Sequence, residues 1–100
     1  MAQFGTPGVQ SVSNQTDIAI GPSGAIIRVF SIHMISDSTA STVTLRNGTS
    51  SSGTPYIQVD GTISKGVTLD FANGVLFPGG CFADVDSHTA YLTVVYSVEL

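Results

Sequence analysis

The sequence predicts an all-β protein: a two-sheet antiparallel β-sandwich of jelly-roll or Greek-key type, with about eight strands and essentially no helix. Three observations point there. Most apolar runs alternate with a period of two, the signature of a half-buried strand. Turn signals rich in Gly, Pro and Asn separate those runs at the roughly 8–12-residue spacing of sandwiches and barrels. No segment sustains an apolar period of 3.6 residues between caps.

The elements follow in order. Residues 1–8, "MAQFGTPG", read as an extended arm, and residues 9–100 as one sandwich domain. Gln10–Ser13 and Asp17–Ile20 are short strand candidates. "AIIRVFSIHMI" is dominated by β-branched and aromatic residues and is apolar on both faces, as expected of a central strand. "TVTLR" turns Val43 and Leu45 inward, and "YIQVD" does the same with Ile57 and Val59. "GVTLDF" places Val67, Leu69 and Phe71 on one face, with Thr68 and Asp70 on the other. Cys81–Val85 is another short strand. "TAYLTVVYSVEL" is the longest, with Ala90, Leu92, Val94, Tyr96 and Val98 on one face and Thr93, Ser97 and Glu99 on the other. Between these runs lie Gly21-Pro-Ser-Gly24, Asn47-Gly48, Gly53-Thr-Pro55, Asp60-Gly61, Asn73-Gly74 and Pro78-Gly-Gly80, where Gly accepts positive φ and Pro fixes the entry to a turn. "RNGTSSSGTP" (Arg46–Pro55) reads as a long, mobile loop.

Composition narrows the function. Charged residues are only 10% of the 100, and net charge is −4. Arg28, Arg46 and Lys65 are the only lysines and arginines, too few to neutralise a useful number of phosphates, so neither nucleic acid nor an anionic membrane is an expected partner. The N-terminus lacks a basic region followed by an apolar run, and the expectation is synthesis in a cytoplasm. One cysteine cannot form an intrachain disulfide.

The stretch "FPGGCFADVDSHTAYL" (Phe77–Leu92) concentrates the residues that invite a chemical reading. Cys81 opens a strand and alternates with Ala83 and Val85, which makes it a small apolar core side chain. Asp84, Asp86 and His88 alternate and are weak metal candidates. The segment lacks the glycine and the distal glutamate of a calcium loop, so it reads first as a turn. His33, inside the most apolar strand, is expected to be a satisfied buried side chain or part of a subunit contact. Arg28, in the same strand, must reach solvent or a carboxylate of another subunit. Asp60 and Asp70 sit beside a turn or on a solvent face. No phosphate loop, nucleophile elbow or His-Glu-x-x-His is present, and the expectation is no enzyme and no cofactor.

The order of pieces from Ile27 to Tyr96 resembles that of small all-β virion proteins of tailed bacteriophages. A hydrophobic strand "IIRVFSIHMIS" leads through a Ser/Thr/Ala turn into "TVTLRNGT", then "YIQVDGT", "GVTLDF", Ala72-Asn73-Gly74, "VLFPGGCFADV" and "AYLTVVYS". Most similar are capsid decoration, or cement, proteins. The resemblance implies a homotrimer on the outer surface of a phage head, with the major capsid protein as partner and the virion as location. Its contact residues are then expected in the arm (Phe4, Pro7, Val9), in the loop from Asn47 to Pro55 and at Arg28. The alternative is a glycan-binding or structural module of a phage tail or head fibre, with Tyr56, Tyr91 and Asp86 as the pieces available to a sugar. A structural protein of another assembly, such as a non-enveloped shell or a bacterial appendage, is the third reading.

Overall fold

Alternation of apolar and polar side chains builds strands that must bury one face, and the chain solves this by stacking two sheets. The computed structural model describes residues 6–12, 17–62 and 65–99. Among the described residues eight strands succeed one another: β1 (Thr6–Val12), β2 (Ile18–Ile20), β3 (Ile27–Ser36), β4 (Ser41–Asn47), β5 (Thr54–Gly61), β6 (Gly66–Phe77), β7 (Cys81–Val85) and β8 (Thr89–Val98). No helix occurs among the described residues. Sheet A has the order β1-β8-β3-β6 and sheet B the order β2-β7-β4-β5, antiparallel throughout. Only β4 and β5 form a hairpin within one sheet, and every other connection crosses between sheets. This is the eight-stranded jelly roll.

The expected boundary of the arm moves. Thr6, Pro7 and Gly8 already belong to β1, paired with Val98, Ser97 and Tyr96, so the sheet starts two residues before Gly8. Residues 1–5, Phe4 among them, lie outside the described residues.

The interior lies between the sheets. Ile27, Val29, Ile32, Met34, Phe77, Leu92 and Val94 come from sheet A. Ile20, Val43, Leu45, Ile57, Val59, Cys81, Ala83 and Val85 come from sheet B. In β4, β5 and β7 the inward set is the one that alternation predicts. In β8 the prediction holds from Leu92 onward, whereas at the start of that strand Thr89 is buried in place of Ala90, where the register shifts between Ile35 and Ser36. In β3 it does not hold. Alternation from Ile27 and Val29 would carry Ser31 and His33 into the core. The structure instead buries Ile32 and Met34, because the register shifts between Val29 and Ser31 against both neighbouring strands. Phe30 is the extra residue of a β-bulge, and the bulge turns the apolar half of the strand inward. Burying Ser31 and His33 instead would cost about 1–3 kcal/mol for each polar group left unsatisfied.

Opposite the bulge, β6 carries its own irregularity. Phe71 to Gly74 lie between the pairs Ser31–Asp70 and Val29–Val75. The Asn73-Gly74 signal, read from sequence as a turn, is this kink inside one long strand. Gly74 has φ +77°, and a Cβ there would collide with the aliphatic stem of Arg28. Leu69, expected inward, is 37% exposed. It pairs with buried Ile32, but β6 is an edge strand of sheet A.

Arg46–Pro55 is not one long loop. β4 runs to Asn47 and β5 starts at Thr54, and Gly48–Gly53 between them is tied down. The Arg46 guanidinium donates from Nη1 to the Gly53 carbonyl at 3.1 Å, and the Gly48 amide donates to the Gly80 carbonyl at 3.0 Å. Gly80 itself has φ +105°, and a Cβ on it would press on the backbones of Gly24 and Gly48 at 3.0 Å. Three loops therefore meet backbone to backbone at one end of the sandwich.

Phe77 is fully buried, and the Tyr56 ring packs 5.2 Å from its centroid. Phe77→Ala is expected to cost about 3–5 kcal/mol of unfolding free energy in urea titration. Tyr56, 45% exposed, should cost much less when truncated to alanine. Equal losses at the two positions would contradict this placement of the core.

Candidate assembly surfaces

The two sheets differ on their outer faces. On sheet B the strand registers set polar side chains side by side. Thr42 donates to Asp60 at 2.8 Å, and Arg46 donates from Nε to Asp84 at 3.1 Å. Gln58 is exposed beside them. Such a face is hydrated and needs no cover.

Sheet A is different. Arg28 stands near the start of β3, between Leu76 of β6 and Ser97 of β8. Its Nε donates to Glu99 Oε1 at 2.6 Å and its Nη1 to the Asn73 carbonyl at 3.1 Å. The other carboxylate oxygen of Glu99 accepts from Ser97 Oγ at 3.1 Å, and the Glu99 amide donates to the Ile26 carbonyl at 2.8 Å. The pair is partly buried, with side-chain exposures of 28% and 16%. The carboxylate that Arg28 needs is thus its own chain's, 71 residues away, and neither solvent nor a second subunit has to supply it.

Around that neutralised pair lie apolar side chains open to solvent: Ile26 at 40%, Leu76 at 39% and Val95 at 36%. Val95 faces Ser31 on one side and Val9 on the other. Further along, Tyr91, 53% exposed, pairs with Ile35. His33 shares a 2.6 Å hydrogen bond with Thr68 Oγ1 between these two patches. The bulge puts His33 on this outer face, half-buried and satisfied by its neighbour strand, and not in the core.

The Phe77–Leu92 stretch resolves into scaffold. Phe77 ends β6, Pro78 and Gly79 make the bend, and Cys81 starts β7. Cys81 is 2% exposed, and burial pushes its thiol up to about 12. The thiol is neutral at physiological pH and has no nucleophilic character. Asp84, Asp86 and His88 do not converge. Asp84 pairs with Arg46 on the face of sheet B. Asp86 folds the β7–β8 turn, its Oδ1 accepting from the His88 amide at 2.8 Å. The His88 ring lies 3.5 Å from the Asp37 carboxylate, and the Asp37 amide donates to the His88 carbonyl at 2.8 Å. Among the described residues no three His, Cys, Asp or Glu side chains are grouped to hold a metal ion.

The remaining contact candidates are scattered. Pro7 and Val9 pair with Ser97 and Val95 through the β1 backbone. Asn47 accepts the Gly79 amide at 2.7 Å and so closes the loop end. Pro55 is exposed at the start of β5, an edge strand. Sequence reasoning passed over Ile26, Leu76 and Val95. A signal was available: Tyr91 and Val95 fall on the outward side of β8, an apolar pair where water should favour polar residues.

No family model matches the chain, and no curated protein matches it. Among solved structures, a protein of the disulfide-linked pili of Bacillus endospore appendages aligns with a TM-score of 0.51 at 13% identity, covering 99% of this chain and 92% of its own. The coat protein of Tobacco streak virus aligns at 14% identity with a TM-score of 0.45, covering 94% and 86%. The first likeness is one of fold.

Two outcomes are expected. A thiol reagent at pH 8 should leave native Cys81 unmodified and react fully once denaturant is added. Below pH 9 the thiol is protonated in both states. From pH 9 towards 12 it ionises only in the unfolded chain, so stability should fall across that window. Rapid labelling of the folded protein would place Cys81 elsewhere. A double-mutant cycle on Arg28 and Glu99, read by urea unfolding, should return a coupling of about 0.5 kcal/mol or more, and additivity would show the pair to be idle.

Proposed function

We propose that this chain is a structural subunit, a capsid decoration protein that binds the outer surface of a bacteriophage head as a homotrimer and stabilises it. One observation carries the reading: the side chains with chemical potential are committed to holding the fold. Cys81 fills the core, Asp84 neutralises Arg46, Asp86 shapes a turn, His88 and Asp37 join two loops, and His33 is tied to Thr68. What they leave outside is a surface for contact. The jelly roll is an architecture that hosts viral capsid domains, and the order of strands from Ile27 to Tyr96 resembles that of phage decoration proteins. The major capsid protein is the partner in this reading, and the particle surface the location.

A second reading is a subunit of a filamentous appendage. The fold likeness to a Bacillus endospore pilus protein, which spans nearly the whole chain, favours it. The two readings demand different company in the cell: a shell with a fixed number of sites, or a filament of copies.

Quantitative mass spectrometry of particles purified from the source separates them. Hundreds of copies per head, and heads that rupture at lower temperature once the protein is stripped, are expected. Filaments made chiefly of this chain would favour the second reading. A handful of copies per particle would overturn decoration and move the protein to a tail or fibre.

A further inference from the structure

We propose that the outer face of sheet A is the contact between copies of this chain, turned towards the axis of the oligomer. The inference rests on the self-assembling reading above and adds the surface that performs it.

Rotational symmetry sets the same residues of each copy near one another at the axis. A free charge there would face its own duplicates, and like charges in close juxtaposition are costly. In a chain of net charge −4, most surfaces fail that condition. The Ile27–Val98 end of sheet A meets it, because its cation and its anion are paired within one copy, Arg28 to Glu99, with Ser97 and the Asn73 carbonyl satisfying further donors and acceptors. The pair can be covered without leaving a buried charge alone. Asp70 is the exception, and it lies on the edge strand, at the rim. Apolar Ile26, Leu76 and Val95 lie around the pair, with Tyr91 further along the same face, whereas β5 of sheet B exposes Gln58 and Asp60 beside Tyr56. The size also fits. Four strands about 4.8 Å apart, running roughly ten residues at about 3.3 Å each, span on the order of 600 Å² in projection. A standard interface takes about 800 Å² of accessible surface from each partner.

The test uses the purified chain alone. Sedimentation velocity should give an oligomer for the natural sequence at micromolar concentration. Val95→Lys and, separately, Leu76→Gln should each weaken association at least tenfold, with circular dichroism unchanged. Gln58→Lys, on sheet B, should leave it as it was. A monomeric natural chain, an unaltered oligomer in both sheet A variants, or equal dissociation by Gln58→Lys would overturn the proposal. A dimer that Val95→Lys dissolves would support the face while refuting the trimer. Variants that stay monomeric yet still occupy purified heads would show the shell contact to be a separate surface, and support the assignment of this one to self-contact.

Discussion

Everything in this protein depends on keeping the space between two four-stranded sheets apolar along the full length of β3. That strand is the hub of sheet A, flanked by β8 and β6, and its residues Ile27, Val29, Ile32 and Met34 are all fully buried. Their spacing breaks strict alternation, so a perfectly regular strand could bury only half of them. The bulge at Phe30 reconciles the two halves. It also dictates the compensating kink in β6 and the glycine that the kink requires at position 74, and it lifts His33 onto the outer surface. One extra residue thus decides which side chains the molecule shows.

That same residue marks the limit of what a linear reading could reach. Where strands alternate cleanly, as in β4, β5 and β7, the inward side chains were legible from period alone, and so was the two-sheet antiparallel fold. Gly80 and Pro78 announced the bend before β7. The bulge was not legible, because an apolar stretch such as "IIRVFSIHMI" offers either parity equally well. Asn73-Gly74 misled for a related reason: a glycine with positive φ serves a bulge as readily as a turn. The reach of Arg28 to Glu99 was hidden by distance, since nothing local says that residues 71 positions apart lie on neighbouring strands.

The candidate site was legible in its negatives and illegible in its substance. Period two placed Cys81 in the interior, and turn chemistry explained Asp86 and His88. The apolar outer face of sheet A is different, because it is assembled from three strands that meet only in the folded sheet. Ile26 precedes β3, Leu76 belongs to β6 and Val95 to β8. Each alone is an ordinary exposed hydrophobe. Only the register sets them around one neutralised ion pair.

The strand order of sheet A has a consequence for how the chain reaches its native state. β8 lies between β1 and β3, so the first and third strands made cannot be joined until the eighth has been synthesised. Until then the ladder edges of β1 and β3 stand open, and the apolar faces of both growing sheets lack their lid. Contacts this remote in sequence place the molecule among slow folders, on the millisecond-to-second scale. A nascent chain therefore leaves the ribosome with its most adhesive surfaces uncovered, and many chains made close together risk pairing with one another before they pair with themselves. Pro7, which brings no amide donor to the edge strand β1, and the brevity of β2 act on that hazard, as sparing devices during biogenesis more than as features of the finished sandwich.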